Sequence, residues 1–169
     1  MILTKEVILK EMKRKNIIVT PFNLSCVGPG SIDLTLSSTI RVFDKKKDIV
    51  RVDEQADYKL LTKVVDIKRG YILKPGQLVM GITQEKITLK GDICGWLNSR
   101  SRFARIGLMS HITAPFIAPG VSNQQVLEIY NASPISLKLI PGVKICQLIF
   151  ERCEGNARYQ GKFKNQSLL

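Results

Sequence analysis

A series of short apolar segments separated by Pro-Gly and Gly-rich turns occupies most of this 169-residue chain. In the segment after Gly30, Ile32, Leu34 and Leu36 alternate with polar residues, which is the period-two pattern of a strand with one buried face. Further strand-like runs lie at 63–67, 77–83, 86–89, 93–98, 125–131, 135–139 and 143–150. About eight short strands with this punctuation predict an all-β fold, a distorted β-barrel or jelly roll.

Two short helices are expected within this β pattern. Residues 5–15 carry an apolar stripe and end in basic residues, and Thr4 stands where it can cap the first turn. Residues 99–105 have the pattern of one or two helical turns, whereas the charged stretch 44–58 predicts a loop. We therefore expect a single domain over residues 1–153, with Trp96 in its core, and a polar, basic tail over 154–169.

The formal net charge of +12 is suited to a polyanionic ligand. Only 7% of the residues are aromatic and the lysines are mostly scattered, so a nucleic-acid-binding barrel is the least favoured interpretation and no nucleic acid partner is expected. No apolar run approaches the roughly 20 residues that cross a bilayer. The first residues lack the pattern of a secretory signal, so the expected location is cytoplasmic, without membrane association.

The four cysteines of the chain, Cys26, Cys94, Cys146 and Cys153, form no C-x-x-C pair, and His111 is the only histidine. This spacing does not match a zinc site. Cys94 and Cys146 lie in apolar, strand-like runs, which is typical of small core residues. We therefore expect structural thiols, no zinc and no metal held by protein ligands alone.

The most informative segment for function is 98–107. Three arginines and two serines lie within seven positions: Ser99, Arg100, Ser101, Arg102 and Arg105. Guanidinium groups present donors in a rigid fork that fits phosphate oxygens, and serine hydroxyls add further donors. Farther along, Glu128 stands inside the apolar run 126–131. Periodicity alone makes Glu128 a solvent-facing strand residue, but a phosphate cradle followed by an isolated acid also suggests chemistry on a nucleotide.

Six segments, taken in order, resemble the dCTP deaminase family, the all-β trimeric relatives of dUTPase. They match the family patterns S-x-D-L-x-L at 30–36, L-x-PGE at 73–77, GRSS-x-AR-x-GL at 99–109, LE-x-x-N at 126–131, PG-x-x-IgQL at 141–148 and Y-x-GKYqgQ at 159–166. The resemblance covers nearly the whole chain. It implies a distorted β-barrel of the dUTPase-like type, a homotrimer, and active sites shared between neighbouring subunits.

The resemblance also implies roles for individual residues. Arg100, Ser101 and Arg102 would hold the triphosphate, although Arg102 stands where serine is usual. Glu128 would be the catalytic carboxylate, and Arg105 and Ser101 would line the base pocket and position the water. Further substrate contacts would come from the backbone of Ile112, Thr113 and Ala114, from Val126, and from the tail residues Tyr159, Lys162 and Gln166. The tail 154–169 would then be a flexible lid over the phosphates rather than a frayed end.

The reaction that this family implies is hydrolysis of dCTP to dUTP and ammonia, which feeds dTTP synthesis. Without zinc, a carboxylate has to shuttle the proton, and general acid–base action of this kind contributes about 10²–10⁴-fold. We expect Glu128 to take a proton from water and to return it to N3 or to the leaving amine. Mg²⁺ would be carried by the triphosphate. dUTP and dTTP are further candidate ligands.

Departures from the family pattern cluster between residues 116 and 124. Ala118 stands where an acid is expected to bind the sugar 3′-hydroxyl, and where dUTPases use an aspartate to orient water. Phe116 replaces a frequently polar residue, and 121–124, which includes Asn123, replaces a stretch that usually carries an aromatic residue and glycine. Two alternatives therefore stay open: a dUTP diphosphatase or bifunctional enzyme, and a catalytically impaired nucleotide-binding homologue.

Overall fold

A computed structural model describes residues 1–44, 49–161 and 163 of the chain. The described part forms two α-helices, α1 (Lys5–Lys13) and α2 (Ser101–Ala104), two short 3₁₀ helices (Leu24–Cys26 and Tyr58–Leu60), and eleven strands. The strands are β1 (Ile17–Thr20), β2 (Ser31–Phe43), β3 (Thr62–Asp66), β4 (Tyr71–Leu73), β5 (Leu78–Leu89), β6 (Ile93–Ser99), β7 (Leu108–Met109), β8 (Phe116–Ile117), β9 (Ser122–Asn131), β10 (Leu137–Leu139) and β11 (Lys144–Arg152).

Nine of these strands form one antiparallel sheet, in the order β7-β9-β5-β2-β11-β6-β8, with β1 added to β5 and β3 added to β2. Strands β10 and β4 form a separate pair. The long strands β2 and β5 each shift register along their length, so one sheet curls around the core. Within the described residues the end strands β7 and β8 do not pair with each other, and the sheet is a partly open barrel. The predicted all-β, barrel-like fold is confirmed.

The core follows from the period-two alternation of the strands. Ile32, Leu34 and Leu36 on β2 are fully or almost fully buried, as are Leu127 and Ile129 on β9. Their side chains share the inner face of the curled sheet because alternate residues of a strand point to the same side. On the outside, α1 is tied to β11 by an ion pair in which Arg152 Nη2 lies 2.7 Å from the buried Glu11 carboxylate.

The sequence predictions differ from the structure in a few places. Residues 77–83 and 86–89 are not two strands but one, β5, which carries an irregularity between Ile82 and Lys86 instead of a turn. The short strands β1, β4, β7 and β8 escaped prediction because two to four residues carry little periodicity. Thr4 is the N-cap residue of α1, but its side chain makes no capping hydrogen bond. The prediction of a buried Trp96 is wrong, since this residue is 40% exposed and donates from Nε1 to Glu151 at 3.1 Å.

The four cysteines are free, and Cys94 and Cys146 are buried as predicted. Burial raises the pKa of the Cys94 thiol to about 12, and burial also raises the pKa of Cys146. Both thiols therefore behave as inert core groups rather than nucleophiles. No helix in the described ranges combines the length and the apolar character that a membrane crossing requires.

Candidate active site

An open cleft of ≈ 560 Å³ lies between β8 and β9. Strand β8 and the residues after it line one side, and the outer part of β9 lines the other. Most of the lining is apolar or aromatic, including Met80, Phe116, Ala118, Val121, Val126 and Tyr159. A cleft of this size, with an apolar lining and few polar groups, is typical of a small-molecule site.

Glu128 is the one charged side chain among the described residues that line this cleft. Its neighbours Leu127 and Ile129 are fully buried on the inner face of β9, so the alternation of the strand turns Glu128 to the opposite side, where it is 31% exposed. Carboxylate oxygen Oε2 accepts hydrogen bonds from the backbone N–H groups of Ile112 at 3.2 Å and Thr113 at 3.0 Å. These two contacts fix the carboxylate at the cleft while leaving it accessible.

His111 lies beside this carboxylate, with 3.9 Å between its Nδ1 and Glu128 Oε2. Burial lowers the pKa of His111, and the neighbouring Glu128 charge opposes that effect without cancelling it. The imidazole is therefore neutral at pH 7, and it packs against the carboxylate as an uncharged group. The loop 111–114 thus supports Glu128 through two backbone donors and one neutral ring.

The arginine segment has a different environment. Arg100 is held, since its guanidinium Nη2 lies 3.1 Å from Asp33 on β2 and its Nη1 donates to the Lys144 carbonyl at 2.7 Å. Ser101, Arg102 and Arg105 are exposed on or next to α2. Within the described residues, no side-chain hydrogen bond or ion pair involves Arg102 or Arg105. Their charged groups are therefore accessible to an anion from solution.

The structure brings several of the predicted site residues into one cleft. Ala114, Val126, Glu128 and Tyr159 line it, and Ile112 and Thr113 bind its carboxylate. None of the residues 100–105 lines it, and no hydrogen bond or ion pair between described residues joins them to Glu128. Lys162 and Gln166 lie outside the described residues. The catalytic and phosphate-binding roles of all these residues stay predictions.

Sequence reasoning missed four features of the site. Two are the ion pair of Arg100 with Asp33 and the exposure of Tyr58 and Phe163 to the cleft. The others are Asn123 and Gln125, two amides with 7% and 8% exposure in the same row as Leu127 and Ile129. The alternation of β9 could have placed both amides at core-facing positions. Buried amides need hydrogen-bond partners, and the sequence does not show which groups those are.

Comparison with known proteins gives the family. The family model described as dCTP deaminase-like matches residues 2–153. The chain belongs to the dCTP deaminase-like family. That match spans every strand of the partly open barrel, and it includes Arg100, Glu128 and the loop that binds the Glu128 carboxylate.

Several proteins of this family are similar to this chain over most of its length. A protein of Pseudarthrobacter chlorophenolicus named "dCTP deaminase, dUMP-forming" is 35% identical over 171 residues, covering 98% of this chain and 89% of its own. A Nocardioides protein of the same name is 34% identical over 175 residues, with 98% and 91% covered. A Shewanella amazonensis "dCTP deaminase" is 39% identical over 152 residues, covering 80% of this chain and 78% of its own.

Solved structures support the fold. The dCTP deaminase of Agrobacterium tumefaciens superposes with a TM-score of 0.70 at 19% identity over 89% of this chain, which spans 48% of that longer chain. A Staphylococcus bacteriophage 80alpha dUTPase variant gives a TM-score of 0.52 at 14% identity, with 86% of this chain and 96% of the dUTPase chain covered. The partly open barrel of this family member is therefore of the dUTPase-like type.

Proposed function

We propose that this chain is a dCTP deaminase, a hydrolase that replaces the cytosine 4-amino group of dCTP with oxygen and releases ammonia. The observation that carries the proposal is Glu128, the one carboxylate among the described residues of a mostly apolar cleft large enough for a nucleoside, where two backbone N–H groups fix it. The names of the relatives from Pseudarthrobacter and Shewanella agree with this reaction class.

In the proposed mechanism Glu128 is the general base and then the general acid. One carboxylate oxygen takes a proton from water as the water oxygen bonds to C4, and N3 or the leaving amine receives that proton when the C4–N4 bond breaks. The net reaction consumes dCTP and water and yields dUTP and ammonia. The contacts from Ile112 and Thr113 hold the carboxylate through one oxygen, Oε2, so the other oxygen is available for proton transfer.

The phosphate end of the substrate is assigned to the arginine segment. Arg100, Ser101 and Arg102 are proposed to bind the triphosphate, and Arg105 with Ser101 to position the water and the carboxylate. Mg²⁺ is proposed to be carried by the triphosphate of dCTP, because Mg²⁺ is commonly bound through substrate phosphates rather than by a cage of protein ligands. Tyr159, Lys162 and Gln166 are proposed to cover the phosphates from the tail.

A homotrimer completes this arrangement. In one chain the cleft with Glu128 receives none of the residues 100–105. We infer that a neighbouring subunit supplies Ser101 and Arg105 to each cleft, so that every active site is built from two subunits. A monomeric protein with full activity in size-exclusion chromatography coupled to light scattering would contradict this assembly.

The names of the relatives differ in the product that they print. The relatives from Pseudarthrobacter and Nocardioides are named for forming dUMP, which favours a bifunctional enzyme that also converts dUTP to dUMP and pyrophosphate. Ala118 argues against ordinary dUTPase chemistry, because alanine cannot orient the hydrolytic water. We therefore rank a deaminase that forms dUTP above a bifunctional enzyme that also hydrolyses dUTP. A catalytically impaired homologue is the remaining alternative, supported by the apolar side chains of Phe116 and Ala118 in the cleft.

The deciding experiment incubates the protein with dCTP and, separately, with dUTP, each with Mg²⁺, and separates the products by ion-exchange chromatography. Deamination alone gives dUTP and ammonia from dCTP and leaves dUTP intact. The bifunctional alternative gives dUMP and pyrophosphate from both substrates. Binding of dCTP or dTTP without turnover of either substrate would identify an impaired homologue and overturn the proposal.

A further inference from the structure

Within the tail, the described residues 158–161 and 163 lie at the cleft between β8 and β9. Tyr159 donates its backbone N–H to the Pro119 carbonyl at 2.8 Å. The backbone of Arg158 packs so closely on Gly120 that a Cβ at residue 120 would lie 3.1 Å from Arg158 Cα. Tyr159 and Phe163 then line the same cleft as Glu128. Two described tail residues and Glu128 of the same chain therefore line one cleft.

Two buried amides on β9 form a hydrogen-bonded relay to this tail. Gln125 is anchored through its backbone N–H, which donates to Thr83 Oγ1 at 3.0 Å, and its side-chain Nε2 donates to Asn123 Oδ1 at 2.5 Å. Because Oδ1 of Asn123 accepts from Gln125, the amide nitrogen of Asn123 faces the tail, where it donates to the Phe163 carbonyl at 2.6 Å.

The outer edge of β9 is open in the region of these two amides. Strand β7 pairs with β9 only at Tyr130 and Asn131, so among the described residues no strand covers the outer edge of 122–129. The inner row of β9 is apolar at Leu127 and Ile129 but changes to amides where the tail crosses, at Asn123 and Gln125. Buried amides need hydrogen-bond partners, and the tail carbonyl is the partner that Asn123 has.

We propose that Asn123 and Gln125 are positioning residues that hold the C-terminal segment across the cleft before nucleotide binds. The segment is then ordered in advance, and less conformational entropy is lost when the substrate enters. The effect on catalysis rests on the proposed dCTP deaminase function, whereas the docking of the tail does not. Asn123 is assigned the positioning role because its amide nitrogen donates to the tail carbonyl at Phe163.

Limited proteolysis tests the docking without any activity. Asn123→Asp keeps the acceptor for Gln125 but replaces the donor to Phe163 with a carboxylate oxygen that repels the carbonyl. A net hydrogen bond corresponds to about 2- to 10-fold in an equilibrium, so we expect trypsin to cleave after Arg158 faster by about that factor in the variant. Asn156→Asp, an equal charge change at an exposed residue before the tail contacts, is the control and should cleave at the native rate.

Glycine substitutions give a second test if Asn123→Asp lowers the melting temperature. Gly120→Ala directs a methyl group into the Arg158 backbone, whereas Gly142→Ala faces open space at nearly the same φ, +83° against +84°. Both carry the same backbone strain, so only Gly120→Ala should speed cleavage after Arg158. Native cleavage rates in folded Asn123→Asp and in Gly120→Ala overturn the proposal.

Steady-state kinetics separates the docking of the tail from its effect on catalysis. If the chain deaminates dCTP, Asn123→Asp should raise KM by about 2- to 10-fold with a smaller change in kcat, because the tail ordering is lost from substrate binding. A fall in kcat with unchanged KM would contradict the positioning role. Faster proteolysis in a protein that turns over no dCTP would support the docking and reject the proposed function alone.

Discussion

The cleft between β8 and β9 and the segment around α2 differ in almost every physical respect. The cleft is mostly apolar, and its one charged group among the described residues is a carboxylate that two backbone N–H groups hold in place. The α2 segment is cationic and exposed, and of its three arginines only Arg100 has an ion-pair partner among the described residues. Contacts within the chain hold the carboxylate of the cleft, whereas the α2 segment presents exposed positive charges to solvent.

This difference matches the two ends of the proposed substrate, a nucleoside triphosphate. A planar base is favoured by an apolar cleft with one proton-transfer group, whereas a triphosphate is favoured by accessible guanidinium groups. The base end has to be rigid because proton transfer depends on hydrogen-bond geometry. The phosphate end gains from free arginine side chains, which can form bidentate contacts when the anion arrives. The separation of the two regions in one chain is what the proposed subunit interface resolves.

The largest expected effect comes from the cleft. Glu128→Gln keeps the size of the side chain and its acceptor for Ile112 and Thr113, but it removes the basic carboxylate. Deamination of dCTP should fall by about 10²–10⁴-fold, while the affinity for dCTP stays close to the native value. A steady-state assay with isothermal titration calorimetry checks both quantities. Glu6→Gln, on the exposed face of α1, is the matched control. Unchanged turnover in Glu128→Gln would remove this carboxylate from the mechanism.

The second test asks whether the cleft of one subunit works with the arginine segment of another. Arg105→Ala and Glu128→Gln should each be inactive alone. Co-expressed in equal amounts, they should recover about one quarter of the native activity, because that fraction of subunit interfaces pairs an intact Glu128 with an intact Arg105. Native mass spectrometry confirms that mixed oligomers have formed. If mixed oligomers form without recovered activity, Arg105 and Glu128 act within one chain, and the active site is not shared between subunits.

How far the sequence predicts the molecule differs between these two regions as well. The strands that carry the core were predictable because β2, β9 and β11 are long enough to show period-two alternation. The position of Glu128 on the face opposite Leu127 and Ile129 follows from the same alternation. Its partners did not follow, because Ile112 and Thr113 contribute backbone groups from a loop, and backbone donors leave no mark on the residue type.

For the arginine segment, the sequence predicted the chemistry of the residues but not their partners. Residue types alone predicted an anion-binding segment with a short helix, and α2 confirms the helix. The sequence could not show that Arg100 is engaged by Asp33, since the two residues are distant in the chain and meet only when β11 pairs with both β2 and β6. Phe116 and Asn123 likewise came together in the cleft through long-range pairing of β8 with β6 and of β9 with β5.

A smaller effect is expected from restoring an acid to the cleft. Ala118→Asp offers a carboxylate to the sugar 3′-hydroxyl, and one such hydrogen bond to a charged group is worth about 1.5–3 kcal/mol. The affinity for dCTP should rise by about 10-fold or more, while 2′,3′-dideoxy-CTP should gain nothing because it lacks the hydroxyl. Competition binding against a fluorescent nucleotide measures both ligands. Equal gains for the two ligands would show that the new carboxylate acts on something other than the sugar.

The smallest expected effect concerns the pH response of the cleft. Burial lowers the pKa of His111 below its value of about 6.5 in an unfolded chain, so the folded state disfavours the protonated ring. The stability that this neutral ring contributes is present above pH 6.5 and is lost as the pH falls through the folded pKa. Melting temperatures at pH 7.5, 6.5 and 5.5 should therefore fall less steeply in His111→Gln than in the native protein. If the attraction to Glu128 outweighed burial, the native protein would instead gain stability on acidification relative to His111→Gln. That outcome would make the loop 111–114 a charged support for the carboxylate, and the cleft would then share the ionic character of the arginine segment.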